Sequence, residues 1–94
     1  MGTVYPKILK KLLAELSEYR RDRKEIAWLQ SVLDGAMGHL VSVEDRELRR
    51  LIGRADAEIG VMRFMKPESE HYSVSLTFVK QIEDAIREAL DESV

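Results

Sequence analysis

Directly after Pro6, the residues Ile8, Leu9, Leu12, Leu13, Leu16 and Tyr19 recur at three- and four-residue spacing. That is the repeat of one apolar face of an α-helix. Proline suits the first helical turn, where its missing N–H would have no partner in any case. The pattern resumes at Ile26, Leu29, Val32 and Leu33, with Trp28 beside it, and Gly35 and Gly38 supply a stop. The spacing therefore predicts one helix over 7–34, roughly 40 Å long at 1.5 Å per residue. A chain of 94 residues has little material to cover so long a stripe, and it holds no cysteine for a disulfide or a thiolate zinc site. Association with a second copy is the remaining common way to cover it.

Between the halves of this stripe stands Arg20-Arg21-Asp22-Arg23-Lys24-Glu25, six charged residues in a row. At about 100° per residue Arg23 falls on the side of Leu9, Leu12 and Leu16. Either the helix bends there or its halves serve different neighbours. A second helix is expected from Ser42, whose hydroxyl suits an N-cap. Glu44 and Asp45 follow at the positive end of the helix dipole. Leu48, Leu51 and Ile52 form its inner side, and Gly53 reads as its C-terminal stop unless Arg54-Ala55-Asp56-Ala57-Glu58 extends the helix.

From Tyr72, the apolar residues Tyr72, Val74, Leu76 and Phe78 alternate with His71, Ser73, Ser75 and Thr77. Period-two alternation in strand-favouring residue types reads as a strand. Ile59–Met65 is a second short apolar run, and Lys66-Pro67-Glu68-Ser69-Glu70 between them is turn-like. A β-hairpin satisfies all three features. The rival reading starts a long helix at Pro67 and carries it through Tyr72, Leu76, Val79, Ile82, Ile86 and Leu90. It also places Gly53 and Gly60 inside the preceding helix, at about 1 kcal/mol each relative to alanine. The reading adopted is a predominantly helical α+β domain over 1–94: a long N-terminal helix, a second helix, one β-hairpin and a C-terminal helix from Val79. The alternative is an all-α three-helix bundle.

Charge is uneven along the chain. Residues 1–34 carry +2, residues 35–66 carry +1 and residues 67–94 carry −5, for a total of −2. This is far from the balance of a dedicated nucleic-acid binder. Two basic groups still make nucleic acid an alternative partner: Arg20, Arg21, Arg23 and Lys24 in the first helix, and Arg46, Arg49, Arg50 and Arg54 in the second. Interspersed carboxylates make a solvated, ion-paired surface the simpler reading of both.

No phosphate-binding glycine loop, His-Glu-x-x-His pattern or readable Ser/His/Asp spacing occurs. His39 and His71 lack a local orienting partner, so chemistry at either would need a pocket with carboxylates from distant segments. Neither a metal nor another cofactor is expected. The large apolar residues least tied to a stripe are Trp28, Met37, Met62, Phe64 and Met65; of these Trp28, Met62, Phe64 and Met65, with Leu9 and Leu16 of the long stripe, are the candidate interface residues. No apolar run is long enough to span a bilayer, and the N-terminal residues show neither a leader pattern nor a myristoylation pattern. The expectation is a small non-catalytic interaction protein of the cytoplasm, acting as a homodimer or as a subunit of a larger assembly.

Overall fold

The computed structural model describes residues 3–92, so the expectations on the first two residues lie outside the described part. Four helices follow one another: α1 (Pro6–Asp22), α2 (Ile26–His39), α3 (Arg46–Met65) and α4 (Glu68–Glu92). A short 3₁₀ turn, Val43–Asp45, leads into α3. Each helix packs on its sequence neighbours, and α4 closes the bundle by returning to α1. Short connections of this kind impose antiparallel neighbours. The contacts agree for α2 and α3: Gln30 meets Arg63 at one end, and Met37 meets Arg49 at the other.

The expected single helix over 7–34 is two helices. Leu9, Leu12, Leu16 and Tyr19 are buried along α1, and an unbroken helix would have carried Arg23 into that same core. Instead Arg23 adopts a left-handed conformation (φ 49°, ψ 51°) and the chain reverses. The reversal resets the helical phase, so that Ile26, Leu29, Leu33 and Ala36 become the buried side of α2. A left-handed non-glycine residue costs on the order of 1 kcal/mol. The Arg23 guanidinium lies 4.5 Å from the centre of the Tyr72 ring, a contact that offsets part of this.

The expected α+β class is likewise corrected: among the described residues there is no strand and no hairpin. Ile59–Met65 belongs to α3 and His71–Phe78 to α4. The alternation misled because a polar residue sits where the core is deepest. Ser75 is fully buried, whereas Val74 and Phe78, read as the inner face, are only half-buried. Ser75 donates to the Tyr72 carbonyl (2.7 Å), so the proton in its 2.7 Å bond to Tyr19 comes from the tyrosine hydroxyl. With both oxygens bonded, the pair is admissible in the core.

Gly53 does not stop its helix. A β-carbon there would lie 3.2 Å from the Met37 sulfur, so the glycine lets α2 and α3 approach. Ser42 does open the segment as expected, accepting from the Glu44 amide, although a 3₁₀ turn precedes the α-helix. Pro67 stands one residue before α4, where the rival reading has it as the first helical residue, and its carbonyl accepts the Glu70 amide at 2.9 Å.

The closing pair, α1 and α4, shares a second polar link. Nε and Nη2 of Arg20 both donate to Oε1 of Glu83, at 3.1 and 2.6 Å, and Glu83 is only 5 % exposed. The Tyr72 hydroxyl donates to the Arg20 carbonyl (2.8 Å), satisfying a group that the end of α1 leaves open.

Arg20→Met should destabilise the fold by about 2 kcal/mol, because it strands a buried carboxylate, and Arg20→Met with Glu83→Met should recover most of the loss. Urea unfolding of the three proteins checks this; an equal loss in single and double variants would contradict it. Gly35→Ala meets no atom within 4 Å and lies in α2 at ordinary helical backbone angles. It should raise Tm by roughly 4 °C through a gain of about 0.5–1 kcal/mol, measured by thermal unfolding.

Candidate functional site

Two surfaces concentrate the unusual side chains. The first is the outer face of α3. Leu48, Ile52, Ala55, Ile59 and Met62 are its buried side. On the opposite side, at spacings of three and four, lie Glu47, Arg50, Arg54, Ala57, Val61 and Phe64, with Glu58 and Met65 beside them. All eight are exposed. The stripe is charged over its first half and apolar over its second. Phe64 is 92 % exposed, Met65 75 % and Val61 59 %. A shallow groove of about 360 Å³ runs beside them, lined by Ala57, Glu58, Val61, Met62, Met65 and Lys66. Together the three large residues present a patch on the order of 300–600 Å², the size of the largest patch on a typical monomer and often a functional one.

The second surface is the elbow between α1 and α2, facing the turn from α3 to α4. Tyr19 stacks parallel to Trp28 (centroids 6.4 Å apart) and tilts against Tyr72 at 5.5 Å. Arg23 covers Tyr72, and the Lys24 ammonium lies 5.5 Å from the centre of the Trp28 ring. A cleft of about 380 Å³ opens beside this cluster, lined among others by Lys24, Glu25, Arg63, Glu68 and His71. It does bring His71 near one carboxylate from a distant segment, Glu25, and one from its own helix, Glu68. Among the described residues, however, the one hydrogen bond of the His71 ring runs from Nε2 to the Lys66 carbonyl (2.9 Å), and neither carboxylate bonds it. Burial of Tyr19 pushes its phenol above the ordinary value, which keeps the hydroxyl protonated and donating to Ser75.

The candidate interface residues divide sharply. Leu9 and Leu16 are fully buried and Met62 is nearly so, so the chain covers all three itself. Trp28 is half-buried in the elbow. Phe64 and Met65 stand in solvent, together with Val61, which the sequence reading passed over. Val61 was legible as an exposed position only once Ile59–Met65 was known to be helical.

The basic residues are largely engaged within the chain. Arg20 pairs with Glu83, and Arg21 with Asp22 through two bonds of 3.2 and 3.4 Å. That contact lowers the Asp22 carboxyl below its usual value. Arg23 and Lys24 lie over aromatic rings. Arg49 donates to the Met37 carbonyl (3.1 Å), and Arg50 meets Glu47 at 3.6 Å. Arg46 and Arg54 are exposed and make no ion pair among the described residues.

A carboxyl pair absent from the sequence reading bridges α2 and α3. Asp56, half-buried, has one oxygen shut off from solvent with no hydrogen-bond partner. Burial first, and then the neighbouring Asp34, push its pKa up to about 6. The two aspartates are 22 positions apart, so nothing local marks them as neighbours. Neither lines the clefts described above. Among the described residues no group of three or more His, Asp and Glu is placed to hold a metal ion, and no helix is long and apolar enough to cross a membrane. No protein-family model, no curated protein and no solved structure matches the chain.

Because the folded-state pKa of Asp56 is raised, its contribution to stability is intact below about pH 4 and is lost as pH rises through about 6. Asp56→Asn should therefore raise Tm by a few degrees at pH 8 and by much less at pH 4. Thermal melts across that range check the sign; a gain independent of pH would show that the carboxyl does not titrate as described.

Proposed function

We propose that this protein is a small non-catalytic interaction protein that works by docking the apolar end of α3 on a protein partner, as a homodimer or as a subunit of a larger assembly. The observation that carries this reading is the contiguous exposure of Val61, Phe64 and Met65 on one helix face. A phenylalanine that is 92 % exposed contributes nothing to the core, and a single side chain of this kind can dominate the energetics of an interface. The charged first half of the same stripe supplies the polar rim that such interfaces carry. The cysteine-free sequence is the ground for reading the protein as cytoplasmic.

Nucleic acid is the less favoured partner. A phosphate contact needs cations free to meet it. Six of the eight arginines and lysines considered for that role are engaged with carboxylates, a carbonyl or aromatic rings of the same chain. The elbow cleft is the less favoured site for catalysis, because His71 is held by a backbone carbonyl and has no bonded acid or nucleophile.

Sedimentation or light scattering over a concentration series should show the mass rising above the 10.8 kDa of one chain as concentration reaches the high-micromolar range. Phe64→Ser with Met65→Ser should hold the mass at one chain without lowering Tm, since both residues lie outside the core. A parent that stays monomeric throughout would defeat the homodimer form of the reading and leave a different protein as the partner.

A further inference from the structure

At the start of α3, remote from the apolar docking patch and independent of it, we infer a binding site for a small aliphatic carboxylate. Arg46 and Arg49 take the carboxylate, and Val41 and Val43 take the aliphatic tail. A cavity of about 440 Å³ lies there, lined by Leu40, Val41, Ser42, Val43, Arg46 and Arg49. That volume is in the range of small-molecule sites. One wall is apolar: Val41 is 70 % exposed and Val43 68 %, and the fully buried Leu40 completes it. The other carries two guanidinium groups from one side of α3, three positions apart.

Charge chooses the ligand. Arg46 is exposed and makes no ion pair among the described residues. Arg49 uses only Nε, on the Met37 carbonyl (3.1 Å), which anchors the guanidinium and leaves both terminal nitrogens open. The carboxylates nearest in sequence are committed elsewhere. Glu47 meets Arg50, the Ser42 hydroxyl donates to Glu44, and the buried Asp45 accepts the Val4 amide at 3.4 Å. None of the three lines the cavity. Guanidinium forks bind carboxylates through two parallel bonds, and the exposed valines gain by leaving water. A ligand that is anionic at one end and aliphatic along its length satisfies both walls. With only three apolar residues in the lining, the tail is short. An extended anionic surface such as a bilayer fits less well, because the exposed Glu44 and Glu47 would repel it, whereas a single head group enters the cavity past them.

Titration of the isotope-labelled full chain with hexanoate, followed by nuclear magnetic resonance, tests the site. The methyl signals of Val41 and Val43 should shift and saturate with a dissociation constant of about 1 mM. Acetate, which lacks the tail, and hexanol, which lacks the charge, should each bind at least about fivefold more weakly. Arg46→Gln removes a side chain without an internal ion pair, so the fold is kept, and the hexanoate constant should rise about tenfold. Val41→Ser should raise it about fivefold. Phe64→Ser with Met65→Ser, at the far end of α3, should leave it unchanged. The absence of a saturable shift at Val41 and Val43 would overturn the inference, as would hexanol binding as tightly as hexanoate or an Arg46→Gln protein that binds hexanoate like the parent. Binding to phosphatidylglycerol vesicles with none to hexanoate would overturn it in favour of a membrane surface. Each of these outcomes leaves the docking role of Val61, Phe64 and Met65 untouched.

Discussion

The hydroxyl of Tyr19 meeting the hydroxyl of Ser75 in a fully buried position is the contact on which the four-helix closure turns. Consecutive helices are brought together by short connections, whereas α1 and α4 meet across 56 residues of chain. Apolar packing alone is permissive about the rotation of one helix on another. A buried hydroxyl pair is not, because any other register leaves two desolvated polar groups unmatched. Arg20 on Glu83 and the Tyr72 hydroxyl on the Arg20 carbonyl fix the same register from either side. The aromatic trio of Trp28, Tyr19 and Tyr72 then ties α2 to this seam.

The left-handed residue at Arg23 has the larger consequence for association. As a single helix, residues 7–34 would present more apolar surface than the remainder of the chain can cover. Broken at Arg23, the two halves fold back and cover one another, and Leu9 and Leu16 disappear into the core. The apolar surface left over on the helices, among the described residues, sits elsewhere, at the end of α3, where Val61, Phe64 and Met65 are exposed. The proposed docking role therefore rests on a patch at one end of the bundle and not on the length of its first helix. The basic run at the elbow fits the same picture: its cations neutralise Glu83 and Asp22 or cover aromatic rings. They stabilise the reversal, and little of their charge is left for an outside ligand.

The sequence by itself determined the helical faces of α1 and α2, the opening of the α3 segment at Ser42, the helix after Val79 and the prominence of Phe64 and Met65. These follow from local periodicity and capping chemistry, which neighbours in the chain settle among themselves. Only the tertiary structure decided the rest. Ser75 read as one polar residue of an alternating run because its partner, Tyr19, is remote in sequence, and the run as a whole read as a strand. Gly53 read as a stop because the side chain it admits, Met37, belongs to another helix. Arg23 read as an interruption of one helix because the ring that offsets part of the cost of turning there, Tyr72, is almost fifty residues away. The Asp34–Asp56 pair and the exposed face of α3 arise the same way. A polar group's burial, a glycine's purpose and a helix's uncovered side are properties of what packs against them, and periodicity along one chain carries no record of that.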